Sequence, residues 1–493
     1  MKPLSAYPDA HLRLFERPPV PAPDALASIY LIGICGTGMG ALAGLFQQAG
    51  YRVSGSDKAA YPPMSIRLAE MGIRVEEGFD PAHLVPPPDL TVVGNACTPT
   101  HPEAAHAREH HLPQQSLPEA LAHFFIRDRR SLVVAGTHGK TTTTGMLTHV
   151  LQHAGLDPGF FVGGVLVGSN SSCSRGSGPH FVVEGDEYDS AYFDKRPKFL
   201  HYRPTCAIVT SMEFDHADIY EDWADYQTAF QAFSRTVDPH GLLVLHADEG
   251  PVEALAEHAT APVRTYGLAH ADLTATDVRH GEGGQRFTLV VDGTPATEVF
   301  LPMSGRHNRL NALAVSAVAL HEGVSPDVLA AGLATFQGMK RRQEVRGEAD
   351  GVLVVDDFAH HPTAVRETIA AVAERWPSRR LIAVFEPRSN SSRRKVFETA
   401  YGDAFDRAAQ AFLSAPPLRH NDVATDFMDV DRVLDRIRAH AVPAAAFPHA
   451  ESLLPALVQT VRPGDVVLIM SNGSFGGLHS RLLEALTRRA AGR

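Results

Sequence analysis

Positive charge is what this chain has too little of. Its 493 residues carry 45 lysines and arginines against 56 aspartates and glutamates, a formal net charge of −11. Affinity for a phosphate backbone rises with the number of phosphates neutralised, so a nucleic-acid binder needs a basic field that this chain lacks. Nucleic acid is not an expected partner, and any anionic ligand must be held by a local cationic and N–H-rich site. Cysteine is scarce as well. Cys35, Cys97, Cys173 and Cys206 have no C-x-x-C or zinc spacing and read as reduced, mostly buried thiols. No apolar run approaches the length of a membrane span. Pro3, Pro8, Asp9 and His11 interrupt the start of the chain, where a signal peptide needs a continuous apolar stretch. The expectation is a cytoplasmic protein with no membrane partner. Repeats of solenoid length are missing too. The 26 histidines are many, but His101, His106, His110 and His111 fall into no metal-binding pattern and read as solvent-facing.

What is present is the balance of a globular protein, 44% hydrophobic and 20% charged residues. The length is too great for one core and implies roughly two to four domains. Residues 1–27 are proline-rich, ending Arg17-Pro18-Pro19-Val20-Pro21-Ala22-Pro23, and are expected to be an extended or disordered lead-in. A first unit over 28–130 has strands expected at 29–32, 52–55 and 90–93, with helices at 41–49 and 66–71. A second over 131–338 holds strands at 132–135, 181–183 and 206–209, a β-rich piece at 287–291, and helices at 310–320 and about 327–336. A third over 339–493 has strands at 352–355, 381–384, 411–413 and 466–470, with helical stretches between them. Alternating strands and helices make the fold class α/β with parallel sheets, the third unit being of the nucleotide-binding type.

The most informative stretch is Gly136-Thr137-His138-Gly139-Lys140-Thr141-Thr142. It follows an apolar strand and opens a helix with Met146, Leu147, Val150 and Leu151 on one face. Such a turn aims backbone N–H groups at phosphate oxygens. The lysine adds charge near the β- and γ-phosphates, and the next hydroxyl reaches Mg²⁺. An ordinary glycine turn is the plain alternative, and the full strand–Gly-Lys-Thr–helix context weighs against it. The loop is short, with two residues between its glycines. An earlier turn, Gly36, Gly38 and Ala41, fits G-x-G-x-x-(G/A), with Asp57 placed 21 residues after Gly36 where a ribose-contacting acid belongs. Alone it fits a nicotinamide oxidoreductase or a ligand-free tight turn equally well. Ahead of a triphosphate site, it suggests a nucleotide-sugar instead.

Glu184-Gly185-Asp186-Glu187 and Glu213-Phe214-Asp215-His216 each follow a buried strand. Acids there could hold Mg²⁺; a solvated acidic loop and a helix N-cap are the alternatives. Asn308 and Asn311, three apart on one helix face, could read an adenine edge.

The order of these motifs resembles the Mur ligases, ATP-dependent amide-forming enzymes of peptidoglycan. The resemblance rests on the short G-T-x-G-K-T-T loop, Glu184, then Glu213, Asp215 and His216. It continues with H-N-x-x-N at His307, Asn308 and Asn311, with Arg341, Arg342 and Glu344, and with D-D-x-x-H-H-P from Asp356 to Pro362. It spans the chain after residue 28. It implies three domains: a Rossmann-like N-terminal domain, a central P-loop ATPase domain and a Rossmann-like C-terminal domain. Within the family, 33–39 resembles the branch that takes UDP-N-acetylmuramate directly. Where several members carry a modified lysine, this chain has Gln231, as that branch commonly lacks the lysine. Glu386-Pro387-Arg388-Ser389-Asn390 and Ser471-Asn472-Gly473 look like the member that adds the recycled tripeptide L-alanyl-γ-D-glutamyl-meso-diaminopimelate. A member adding L-alanine is the alternative. A guanidinium suits a tripeptide's carboxylates.

The resemblance implies these roles. Gly136 to Thr142, Asn308, Asn311, Arg342 and Asp357 hold ATP, and Lys140, Glu184 and His216 are catalytic. Thr141, Glu184 and His216 hold Mg²⁺. Gly36, Thr37, Gly38, Met39, Asp57 and Asn95 hold the UDP-sugar. Arg388, Ser389, Asn390, Ser471 and Asn472 hold the acceptor. The implied protein is a monomer or weak homodimer.

Overall fold

The computed structural model describes residues 2–60, 64–214, 219–281, 283–416 and 426–492. The chain divides into two compact units. The first comprises Met1–Thr274, Val291–Gly293 and Leu313–Gly332; the second comprises Ala275–Val290, Thr294–Ala312 and Leu333–Arg493.

Besides an antiparallel pair, Asp189–Ala191 with Asp194–Pro197, the first unit contains two large sheets. One is five-stranded and wholly parallel, in the spatial order Arg74–Glu77, Arg52–Asp57, Ser28–Ile32, Leu90–Val93, Gln114–Ser116. Chain order reverses between Ser28–Ile32 and Leu90–Val93, so the carboxyl ends of these two strands flank the crevice where a doubly wound sheet binds its ligand. The other sheet places Arg130–Ala135 between Cys206–Val209 and His180–Gly185, parallel to both. Leu242–His246 and Val263–Tyr266 extend it on one side and Gly159–Leu166 on the other, all parallel, with Ser171–Ser174 antiparallel at the end. Leu132, Val133, Val134 and Ala135 are all buried, as an apolar strand covered on both faces must be. The phosphate-loop sequence therefore leaves the middle of this sheet.

The second unit's main sheet runs Glu344–Ala349, Val352–Asp357, Asp465–Met470, Arg380–Phe385, Gln410–Ser414, Ala444–Phe447. It is parallel except for its first strand, which pairs antiparallel with a register shift between Val345 and Gly347. The sequence reading has the four inner strands and misses both edges. Glu344–Ala349 is half charged and Ala444–Phe447 is mostly alanine, so neither has the β-branched run that marks an inner strand.

The lead-in is the main correction. It is not a free segment: it forms short turns at Leu4–Ala6, Ala10–Arg13 and Pro23–Ala25 and packs on the first unit. Arg13 donates to the carbonyl of Tyr192 at 3.0 Å. Phe15 stacks on Tyr192 with ring centroids 6.2 Å apart and meets Phe193 edge-on. Arg17 grips both oxygens of Glu119 at 2.8 and 2.9 Å and lies over the Phe193 ring. The prolines restrict the backbone, while Arg13, Phe15 and Arg17 supply anchors that a compositional reading overlooks. His101 is a second, smaller correction: it is half-buried, its ring set against Phe79 at 4.3 Å.

Burial works to raise the Glu119 carboxyl, but the Arg17 guanidinium outweighs it and holds it below the ordinary range. Arg17→Ala leaves that carboxylate largely enclosed without its cation. A loss of about 2 kcal/mol is expected, read as a lower midpoint in urea, with cleavage of the lead-in at lower protease concentration than in the parent.

Candidate functional site

The turn from strand Arg130–Ala135 to helix Lys140–His153 depends on two glycines. Gly136 has φ of +130°, and a Cβ there would press into Thr210 Oγ1 and sit 2.9 Å from the Ser211 amide. Gly139, with φ of +81°, caps the helix from the left-handed region. The loop is fastened from the neighbouring strand end. Thr137 N–H donates to Ser211 O, His138 N–H donates to Ser211 Oγ, and Thr210 Oγ1 donates to His138 O. His138 Nε2 lies 2.6 Å from Glu213 Oε2, and Thr137 Oγ1 lies 2.8 Å from the hydroxyl of Tyr226.

Lys140 Nζ turns back into its own loop. It donates to Gly136 O and Thr137 O and makes an ion pair with Glu187 at 2.8 Å. Glu187 is fully buried. Burial works to lower the lysine's pKa, but the Glu187 and Asp186 carboxylates outweigh it and hold the ammonium protonated above its ordinary range. Asp186 is itself paired with Lys198 at 2.7 Å.

Glu184, at the end of strand His180–Gly185, accepts from Thr141 Oγ1 at 3.0 Å and from Gly163 N–H at 2.8 Å. Loss of water around it raises its carboxyl above the ordinary range, against the pull of Lys140. A hydroxyl and a carboxylate joined in this way are hard oxygen donors of the kind Mg²⁺ takes, and a carboxylate held at an energetic disadvantage gains from a cation. Thr141 and Glu184 therefore fit the metal role given to them. Asp215 and His216 lie outside the described residues.

The first glycine turn belongs to the same unit. Gly33 and Ile34 N–H groups donate to Ser56 O, and Cys35 N–H donates to Asp57 Oδ2 at 2.8 Å. Asp57 Oδ1 accepts from Lys58 N–H. Asp57 thus secures the turn itself, a job its spacing does not reveal. Helix Thr37–Gln48 starts at Gly36, and Asn95 is half-buried just past strand Leu90–Val93. A Cβ on Gly38 would meet Leu117 at 3.1 Å and Phe161 at 4.0 Å. Phe161 belongs to strand Gly159–Leu166, which also carries the Gly163 amide bound to Glu184. One strand therefore runs beside the glycine turn and binds Glu184.

In the second unit, Asn308 is buried and donates its amide to Ser304 O at 2.8 Å; Asn311 is buried as well. Asp357 accepts from the backbone N–H groups of Gln343 and Ala359, both at 2.8 Å. Burial raises its carboxyl, with Arg342 opposing. Arg341 and Arg342 both lie over the Phe358 ring, at 5.1 and 4.9 Å. Ser471 is buried and donates to Glu386 Oε2 at 2.5 Å. Arg388 and Asn390 are exposed on the following loop, with Ser389 half-buried between them. The sequence reading did not single out Glu187 as the partner of Lys140, Gly163 as a donor to Glu184, or Arg341 as distinct in role from Arg342.

Three domain families match in order: the Mur ligase family catalytic domain over residues 28–129, the Mur ligase middle domain over 134–319, and the Mur ligase glutamate ligase domain over 341–473. The chain belongs to the Mur ligase family. It has that family's three-domain α/β architecture. It is 40% identical over 470 residues to the UDP-N-acetylmuramate–L-alanyl-γ-D-glutamyl-meso-2,6-diaminoheptandioate ligase of Escherichia coli (strain K12), covering 94% of this chain and 99% of the relative. The UDP-N-acetylmuramate–L-alanine ligase of Desulforapulum autotrophicum is 36% identical, covering 93% and 98%. A crystal structure of a murein peptide ligase from Psychrobacter arcticus superposes with a TM-score of 0.69 at 34% identity, covering 94% of this Mur ligase and 99% of that chain.

Because the folded state raises Glu184, its ionised form costs stability above the ordinary carboxylate pKa, and that cost disappears as pH falls below it. Glu184→Gln removes the cost, and the Thr141 hydroxyl can reverse to accept from the new amide. The expected outcome is an unchanged or raised melting temperature at pH 7 together with loss of Mg²⁺-dependent turnover. A lowered melting temperature at pH 7 would count against this account of Glu184.

Proposed function

We propose that this Mur ligase joins UDP-N-acetylmuramate to L-alanyl-γ-D-glutamyl-meso-diaminopimelate, using ATP and Mg²⁺, and so returns recycled peptide to peptidoglycan synthesis. The observation that carries the reading is the phosphate loop: Lys140, Thr141 and Glu184 meet in the same unit as the Gly33–Met39 turn. The acceptor is supported by the 40% identity to a ligase of that name over nearly all of both chains.

In this reading the lactyl carboxylate oxygen of the donor attacks the γ-phosphorus of ATP, and the bond to ADP breaks. The peptide's amine then attacks the acyl carbon, loses a proton, and phosphate leaves. Phosphoryl transfer of this kind is chiefly positioning and charge neutralisation. The loop amides of 136–142 would bind the phosphates. Lys140 would exchange its Glu187 carboxylate for phosphate oxygens, a swap of one anion for another that keeps the ammonium paired throughout. Thr141 and Glu184, with His216, would hold Mg²⁺, which supplies further positive charge at the γ-phosphate. Asn311, Arg342 and Asp357 would hold the nucleotide, with Asn308 fixing the start of helix Arg306–His321, which carries Asn311, through Ser304. Gly36 to Met39 and Asn95 would receive the UDP portion, on a turn that Asp57 keeps in shape. Arg388, Ser389, Asn390, Ser471 and Asn472 would receive the acceptor.

The test is Mg²⁺-dependent phosphate release from ATP with UDP-N-acetylmuramate, offering the tripeptide or L-alanine in parallel. Release with the tripeptide is expected, at a specificity at least about 10²-fold above L-alanine, since a few charge-assisted contacts separate the two acceptors. Preference for L-alanine would overturn the acceptor assignment while leaving donor and chemistry intact. Lys140→Ala should lower turnover by about 10³-fold or more with an unchanged circular dichroism spectrum.

A further inference from the structure

The second unit holds a small assembly in which two motif residues, Arg341 and Gly473, have no role assigned so far. Arg341, the first of the two adjacent arginines, points its guanidinium at the loop after strand Asp465–Met470. Its Nη2 donates to Ser471 O at 2.5 Å and to Gly473 O at 2.7 Å. Its own position is over-determined. Its backbone N–H donates to Glu344 Oε2, its carbonyl accepts from Phe358 N–H, and its Nε faces Asp356 at 3.6 Å. His479 Nε2 lies 3.1 Å from Asp356 Oδ1 on the other side. The loop is also tied from within, because Gly473 N–H donates to Ser471 Oγ at 2.8 Å and that hydroxyl donates to Glu386. Gly473 is therefore fixed from both ends of its peptide.

What lies on Gly473 is the side chain of Arg388. A Cβ built on this glycine would run into Arg388 Nη1 and stand 2.7 Å from its Cδ and 2.8 Å from its Cζ. All three nearest atoms belong to that one side chain. The backbone at Gly473 is outside the left-handed region, so glycine is not required there for its φ. Its missing side chain has a different use: it leaves a bare peptide surface against which a planar guanidinium lies.

We propose that Gly473 and Arg341 are positioning residues that set the place of the Arg388 guanidinium. Gly473 is the surface on which Arg388 rests, and Arg341 keeps that surface still by binding the two carbonyls around it. The inference rests on the assignment of Arg388 to the acceptor and adds what determines the fit. A guanidinium recognises a carboxylate through paired N–H bonds whose direction matters. A displacement of about 1 Å is enough to lose that pairing while the charge remains.

Gly473→Ala is a discriminating variant because Arg388 is exposed and can move aside, so the fold survives and only the guanidinium shifts. The measurement is the KM for tripeptide, for ATP and for UDP-N-acetylmuramate, with kcat, for Gly473→Ala, Arg388→Ala and the double variant. Gly473→Ala is expected to raise the tripeptide KM about tenfold, with the other constants within about twofold. In the Arg388→Ala background the same substitution should change the tripeptide KM by less than about twofold. Arg341→Lys, which has one ammonium for two carbonyls, should raise the tripeptide KM alone in the same direction. An equal effect of Gly473→Ala with and without Arg388 would overturn the proposal, because the glycine would then act by another route. So would a silent Gly473→Ala beside a damaging Arg388→Ala; the acceptor assignment would survive that result. An Arg388→Ala that leaves the tripeptide KM unchanged would overturn both.

Discussion

A lysine largely withdrawn from water keeps its charge when carboxylates surround it, and the first unit is arranged around that requirement. Lys140 heads the helix that follows the inner strand Arg130–Ala135, with its side chain mostly enclosed. Glu187 neutralises it directly, and Asp186 and Glu184 contribute from the same strand end. Those acids need their own partners. Asp186 takes Lys198, and Glu184 takes the Thr141 hydroxyl and the Gly163 amide. The glycine at 163 gives that contact room, since a Cβ there would crowd the Glu184 carboxyl group at 3.0 to 3.2 Å. A chain of charge compensation thus reaches from the phosphate loop to strand Gly159–Leu166, and by Phe161 to the first glycine turn.

Much of the fold was legible because strand and loop motifs are local. The strand–turn–helix over 130–153 can be read from apolar residues, two glycines and a Lys-Thr pair within two dozen positions. The four inner strands of the second unit's main sheet were equally clear from their apolar runs, whereas Gly159–Leu166, Leu242–His246 and Val263–Tyr266, inner strands of the phosphate-loop sheet, were not read. What escaped has two causes. Edge strands such as Glu344–Ala349 face solvent and carry no apolar signature. Long-range pairings, Lys140 with Glu187 or Arg341 with Gly473, depend on how segments 47 and 132 residues apart come together, and no local pattern encodes that. The lead-in belongs to the same class, because its three anchors find partners 102 to 179 residues away.

Within the second unit, two neighbouring arginines divide their work. Arg342 balances Asp357, whereas Arg341 binds main-chain carbonyls and holds a loop in shape. Two residues adjacent in sequence can face such different partners because the backbone at Arg341 and Gln343 enters the left-handed region, with φ of +59° and +52°. The turn so made separates the side chains. Phe358 offers its ring to both guanidinium groups.

The opposite proton preferences of the carboxylates have a consequence for how acid acts on this protein. Burial makes Glu184 take up a proton early as pH falls. Glu322, held by Arg130, His180 and Cys206, resists protonation, burial being outweighed by those bonds. Asp194 resists in the same way through His201 and Arg196. A group with a depressed value keeps its stabilising contribution until pH falls through that lower value. Mild acid therefore protonates Glu184 while these ion pairs of the first unit stay intact. Loss of the Glu184 charge and loss of the ion pairs that hold the first unit are separate events on the acid side.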